Sequence, residues 1–445
     1  KEILQYPILS HHGLYDIIDR DFDYRTKIRI EYFDDKLEME NALYFLNFLN
    51  GEYVEVSQKS IYDLYLKGLI EFQLIYTKLK NMAKRFKDKN NINAEKFKRK
   101  KVLHFYYGAL IRLLLSILKE ADIYDSSNYY RTVKDKLYSV DELSLIWNQM
   151  SLEVEGLYEE FGRNKRSKLD VVRTDLANDL YKHSLESNIG AYKLDIPVGG
   201  GKTFAALRYA IANSKKFNKL RIFYCTAFLS VLEQNASQIK GIVGTDYVLE
   251  HHSNIIDDDL DVYYDEEDID IVDQNDYRKQ EYLKESWESP IILTTLVQFS
   301  NTMFKDKASN IRRFSKLINS VIIIDEIQSL PSKAIYNFNL MMNFLVEIMN
   351  CNIVHSTATP PNLDSVEALT YPCFYEDNEI NITDKSDKTK KVLSIFHRVN
   401  YYSLLGKGLE VEFDTNDIIS HIKSQITSDN SILAVLNTKR AVSNL

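Results

Sequence analysis

The chain has 445 residues, room for two or three domains, and its 45% hydrophobic and 27% charged content with 14 glycines and 7 prolines excludes a disordered or fibrous polypeptide. A net charge of -8 excludes a generally basic nucleic-acid coat protein. Three cysteines (Cys225, Cys351, Cys373), far apart and without a CxxC pair, exclude a disulfide framework and a thiolate metal site, and fit a reducing cytoplasm.

Residues 1–160 read as mostly helical, with apolar residues at three- and four-residue spacing around Leu64 to Leu79 and from Leu110 to Leu118. No run reaches the roughly 18 uninterrupted apolar residues of a membrane span. The nearest, Phe105 to Leu118, carries Arg112 and is too short, so a buried helix is expected and no membrane partner. From Lys78 to Lys101 eleven Lys or Arg stand against Asp88 and Glu95, which reads either as a guide or docking face or as a solvated helix. The first residue is Lys rather than Met, so a true N-terminus upstream is expected. The polar stretch Phe161 to Lys168 reads as a linker.

Beyond residue 170 the pattern changes to α/β. Apolar runs at Ala191 to Ile196, Leu220 to Cys225, Ile291 to Thr294, Val321 to Ile324 and Asn352 to His355 predict buried parallel strands, separated by helices such as Thr203 to Ala212 and Ser230 to Ile239. Such a sheet carries its chemistry at the carboxyl ends of the strands. Residues 168–382 form this unit. A charged stretch, Thr383 to Lys391, precedes residues 392–445, where the apolar run Ser431 to Leu436 opens a further domain. The acidic run from Asp257 to Asp276 is most simply a surface loop.

Ile196-Pro197-Val198-Gly199-Gly200-Gly201-Lys202-Thr203 follows one predicted strand and opens a predicted helix, the context required of a phosphate-binding loop. Bare glycine amides curl around phosphate where side chains would block it, and the helix N-terminus adds partial positive charge. Lys202 is expected on the β and γ phosphates of ATP and the Thr203 hydroxyl on Mg²⁺. Downstream, Val321 to Ile324 ends in Asp325-Glu326-Ile327-Gln328. Asp325 suits the outer shell of Mg²⁺ and Glu326 the orientation or deprotonation of attacking water, with Gln328 closing the box. Arg173 precedes the first strand.

Together with Ser356-Thr357-Ala358-Thr359 after Asn352 to His355, these motifs resemble those of superfamily 2 helicases, a likeness that implies recognition of adenine at Arg173. Further strings narrow the likeness: Glu233-Gln234-Asn235, Leu249-Glu250-His251-His252-Ser253-Asn254, Thr294-Thr295-Leu296-Val297-Gln298-Phe299, and Asn437-Thr438-Lys439 with Ala441. In this order they resemble the helicase-nuclease of type I CRISPR interference. That resemblance implies a helical HD-type nuclease domain, a RecA-like parallel-sheet P-loop lobe and the start of a second RecA-like lobe. It implies that Ser356, Thr357, Ala358 and Thr359 couple the acidic box to lobe movement. It also places Thr226, Thr294, Thr295 and Gln298 on the backbone of single-stranded DNA.

Ser10-His11-His12-Gly13 and Ala121-Asp122 are similar to the HD motifs. His11, His12 and Asp122 would then help hold a pair of divalent transition metals (Mn, Fe, Co or Ni) that activate water to cut DNA. The family's earlier His and His-Asp pair are expected upstream of Lys1, and its arginine fingers beyond Leu445, so this fragment is expected to bind ATP weakly and not to translocate. The implied partner is a crRNA-guided effector complex in a prokaryotic cytoplasm. His251 and His252 read as structural or inter-lobe residues. The alternatives are a stand-alone DNA or RNA helicase with a helical accessory domain, and a non-catalytic recruitment module.

Overall fold

The computed structural model describes residues 58–85, 92–130, 138–163, 167–252, 287–357, 373–375, 396, 415–427, 431–435 and 438–444. The expectations for His11, His12, Ala358, Thr359, Asn437 and the acidic run lie outside them. The chain divides into residues 1–396 and 397–445.

In the first unit six parallel strands, β1 (Ala191–Asp195), β2 (Arg221–Thr226), β3 (Val248–His251), β4 (Ile291–Thr295), β5 (Ser320–Asp325) and β6 (Asn352–Thr357), form one sheet in the order β1-β6-β5-β2-β4-β3. This is the RecA-like architecture expected. Every residue of β5 and β6 is buried, which is why these strands read as continuous apolar runs rather than alternating ones. The strand β3 had no such signal: it lies at the sheet edge, with Leu249 and Glu250 partly exposed.

Alternate residues of each strand face two cores. Phe223, Cys225, Ile292, Ile322, Ile324 and Ile353 meet one set of helices; Ile222, Tyr224, Leu293, Val321, Ile323 and Val354 meet the other. On the first face lie α1 (Gln58–Lys84), α2 (Ile92–Tyr130), α7 (Leu296–Phe304), α8 (Ala308–Phe314) and α9 (Ile335–Glu347). On the second lie α3 (Val140–Arg163), α4 (Lys168–Glu186), α5 (Lys202–Phe217) and α6 (Leu229–Val243).

The expected boundary near residue 160 places α3 with the N-terminal domain, but α3 packs into the sheet's own core. It buries Leu143, Ile146, Trp147, Met150 and Val154, and the Trp147 indole donates to the Lys219 carbonyl at 2.8 Å. Its start is fixed by a reciprocal cap, Ser139 N–H to Glu142 Oε2 (2.8 Å) and Glu142 N–H to Ser139 Oγ (3.2 Å). A second capping box, Ser167 with Asp170, starts α4.

The stretch expected to be too short for a membrane span belongs to a longer helix: Arg99–Asp122, within α2, is long and apolar enough to cross one by length and composition. Its apolar face instead meets the lobe. Buried Arg112 donates to the Thr302 carbonyl (2.8 and 3.1 Å) and to that of Lys305 (2.6 Å), and Ser116 donates to the Arg312 carbonyl at 2.8 Å. Glu120 pairs with Arg312 (3.1 Å) and Lys316 (3.0 Å).

Two histidines are sealed in the strands. His251 meets the Thr294 hydroxyl at 3.4 Å and the edge of Trp287; His355 meets the Tyr375 hydroxyl at 2.6 Å. Burial, with Arg313 and His252, pushes His251 down to about 3, and burial with Lys193 does the same to His355. In the unfolded chain each imidazole takes up a proton near about pH 6.5. Between about pH 6.5 and about 3 the unfolded chain therefore binds more protons, and stability falls with pH by up to about 1.4 kcal/mol per unit for each histidine. The thermal midpoint is expected to drop between about pH 7 and about pH 5, and less steeply in His355→Gln. Equal slopes for the two proteins would contradict this.

In the second unit α10 (Thr415–Gln425) and α11 (Lys439–Asn444) are helical. Residues 431–435 form no strand, and Leu433 and Val435 are exposed.

Candidate nucleotide site

The loop between β1 and α5 turns through Gly199 (φ 80°) and Gly201 (φ 78°), left-handed values that favour glycine. Between them Gly200 has no room for a side chain: a Cβ would come within 2.4 Å of Ile196 Cγ2 and 2.9 Å of the Pro197 carbonyl. The Gly200 amide donates to that carbonyl at 2.9 Å, which tightens the turn. Gly201 then caps α5 without a side-chain hydrogen bond, leaving first-turn amides available to an anion.

β1 and β5 are not neighbours; β6 lies between them, with Leu194 opposite Ser356 and Ser356 opposite Asp325. The strand that ends in Ser356-Thr357 thus separates the loop strand from the acidic strand. At the end of β5, Glu326 adopts a left-handed conformation (φ 56°), uncommon for a residue with a side chain, and its amide donates to the Ser356 carbonyl at 2.9 Å. That turn swings Glu326 toward the loop.

Lys202 Nζ lies 3.1 Å from Asp325 Oδ1 and 2.9 Å from Glu326 Oε1. Burial alone would lower the Lys202 ammonium, but Asp325 and Glu326 outweigh it and hold it above its ordinary value. Asp325 is the more buried acid, so desolvation raises it despite Lys202, whereas Lys202 and Gln328 outweigh burial at Glu326 and lower it. The two acids are thereby differentiated, Asp325 shifted up and Glu326 down. Gln328 donates to Glu326 Oε2 and accepts from the Thr357 hydroxyl at 2.6 Å. This chain joins the acidic box to β6. The Ser356 hydroxyl is buried and finds no hydrogen-bond partner among the described residues.

Beside the loop is a cavity of about 710 Å³, lined among others by Tyr158, Phe161, Arg173, Lys202, Asn235 and Glu326. The Arg173 Nε donates to the Gly199 carbonyl at 2.7 Å and its Nη1 pairs with Asp170 at 3.2 Å. Tyr158 and Phe161 escaped the sequence reading because they end a helix assigned to another domain. Tyr158 is held by Arg208, whose guanidinium lies 4.2 Å from its ring centroid and 4.3 Å from that of Tyr181 and forms two hydrogen bonds with Glu155 (2.7 and 2.6 Å). The oxygen donors Thr203 and Asp325, the free loop amides and the excluded Cβ at Gly200 fit a magnesium-bound triphosphate.

The candidate DNA contacts divide. Thr226 and Thr294 are buried at the strand ends, the first donating to the Phe228 carbonyl at 3.1 Å and the second facing His251. Their hydroxyls do not reach the surface expected to carry DNA, because neighbouring strands and loops cover central strand ends. Thr295 and Gln298 are partly exposed, and Thr295 caps α7 by accepting from the Gln298 amide at 3.3 Å. Asp122 is exposed on α2, and no group of three or more potential metal ligands occurs among the described residues.

The DEAD/DEAH box helicase family model matches residues 181–366. A 220-residue stretch, 46% of this chain and 22% of the relative, is 26% identical to the CRISPR-associated nuclease/helicase Cas3 of Haloferax volcanii. The matched stretch is about a fifth of that relative's length. Crystal structures of T. fusca Cas3 with ATP (14% identity, 61% of this chain and 34% of that one, TM-score 0.37) and with AMPPNP (16%, 62% and 35%, TM-score 0.38) are also similar. Superpositions that loose add no weight to the sheet order and the family match.

Proposed function

We propose that this chain, whose DEAD/DEAH helicase lobe is of the Cas3 type, belongs to an ATP-driven single-stranded DNA translocase joined to a metal-dependent HD nuclease. In this reading a crRNA-guided effector complex recruits it, in a prokaryotic cytoplasm, to degrade invading DNA. One observation supports it above the rest: Lys202, at the start of α5, reaches both Asp325 and Glu326, 124 residues away along the chain for the latter, at one end of the sheet.

Bound MgATP would supply the reacting phosphoryl group. Lys202 would leave the two carboxylates for the β and γ phosphates, which the amides after Gly199 also hold. Thr203 and Asp325 would hold the magnesium ion. Glu326, kept ionised, would orient the attacking water and take its proton, and the Gln328–Thr357 hydrogen bond would carry the change to β6. Arg173, with Tyr158 and Phe161 beside it, would receive the base.

Thr295 and Gln298 remain the lobe's contacts for a DNA backbone, a sequence-independent mode that suits a motor stepping over any sequence. His11, His12 and Asp122 are the proposed residues of the nuclease metal site, which would take Mn, Fe, Co or Ni. In the intact protein, single-stranded DNA should stimulate ATP hydrolysis and RNA should not. His11→Ala with His12→Ala should stop metal-dependent cutting and leave the ATPase intact. Stimulation by RNA alone would turn the assignment toward a stand-alone RNA helicase, and cutting that survives the double substitution would remove the HD reading.

A further inference from the structure

We propose that Tyr224 and Asn235 are positioning residues of the nucleotide site: a buried phenol and a buried carboxamide that orient the Thr203 hydroxyl and the Asp325 carboxylate toward the magnesium ion of MgATP. The inference rests on the ATP reading above. Tyr224 pairs with Ile323 across β2 and β5, so its side chain, that of Ile323 and that of Asp325 two residues on share one face of the sheet. That is the face covered by α5, whose first turn carries Thr203. Tyr224 is fully buried, and its hydroxyl makes no hydrogen bond of ordinary geometry among the described residues, although Thr203 and Asp325 are close enough to act on it.

Asn235, on α6, is 5% exposed and borders the cavity. Its Oδ1 accepts from the Thr203 hydroxyl at 3.3 Å, while its Nδ2 has no partner among the described residues.

These contacts have a chemical use. A hydroxyl that ligates a cation gives a lone pair to the metal and must direct its proton to an acceptor; Asn235 Oδ1 is that acceptor for Thr203. Asp325 now leans on Lys202. When Lys202 turns to phosphate, the carboxylate needs another donor to fix its angle, and the Tyr224 hydroxyl, on the same face and close enough for Asp325 to act on it, has a proton to give. As packing alone the phenol is a poor choice, since phenylalanine would fill the same space without burying a hydroxyl that makes no hydrogen bond of ordinary geometry among the described residues. The Glu233-Gln234-Asn235 string thereby acquires a role that its sequence likeness did not provide.

The test uses the full-length protein with Tyr224→Phe, Asn235→Leu and Asn235→Asp, and measures binding of a fluorescent ATP analogue with magnesium and with EDTA, together with thermal unfolding. Tyr224→Phe and Asn235→Leu should each raise the magnesium concentration for half-maximal binding about tenfold or more, as loss of a group supporting a metal ligand does. Binding in EDTA should not change, the unfolding midpoint should stay at or above that of the wild type, and Asn235→Asp, which keeps an acceptor for Thr203, should recover most of the magnesium response. An unchanged magnesium requirement overturns the proposal. So does a loss that is equal in EDTA and accompanied by a lower midpoint, which would mark the pair as packing. If the wild type itself binds no ATP in either condition, the ATP reading fails first, and the proposal with it.

Discussion

Lys202→Ala in the intact protein is expected to abolish ATP-driven unwinding, measured as release of a labelled strand from a tailed duplex. The reason lies in where the ammonium sits. Its side chain is 14% exposed, at the start of the helix that follows the loop and within 3.1 Å of both acids. Its removal also leaves Asp325 and Glu326 facing one another without their shared counter-charge, which raises the cost of ionising both. The helix it starts buries Ala205 to Ser214, none of which depends on Lys202, so circular dichroism should remain that of the wild type. Normal unwinding by a folded Lys202→Ala protein would refute the site.

Asp325→Ala is expected to lower ATP turnover at least about a hundredfold, or about 2.7 kcal/mol of barrier. Asp325 ends a strand buried along its whole length, is 4% exposed, and lies on the face shared with Tyr224. Replacing it removes the hard oxygen donor that complements Thr203, and leaves Lys202 with Glu326 alone as partner. Glu326 cannot take both tasks, since a carboxylate committed to the metal is no longer free to receive a proton from water. Steady-state turnover at saturating single-stranded DNA measures the loss, and turnover within a few-fold of the wild type would refute the role.

Both substitutions act at a site whose members were nameable in advance, and particular residues explain why. The glycines before Lys202 and the acids after Ile324 each announce themselves within a few residues, because a phosphate loop and a buried parallel strand are local patterns with local causes. β1, β2, β4, β5 and β6 were legible for the same reason. β3 was not, since an edge strand with Glu250 half in solvent has no continuous apolar run. The position of α3 was also hidden: its amphipathic spacing shows that one face is buried but not against what, and only the fold brings Trp147 to Lys219 and Tyr158 to Arg208.

The chain alone was thus sufficient to name the members of the cluster, a glycine turn, an ammonium and two acids, because each of those groups is specified by its immediate neighbours. Which side chains surround that chemistry was settled by folding. Thr226 and Thr294 turned inward, Asn235 met the Thr203 hydroxyl, and an upstream helix came to line the cavity beside the glycine loop. Burial and contact between segments distant in the chain arise from the sheet order and from which face each residue occupies, and neither is written in any short stretch of residues.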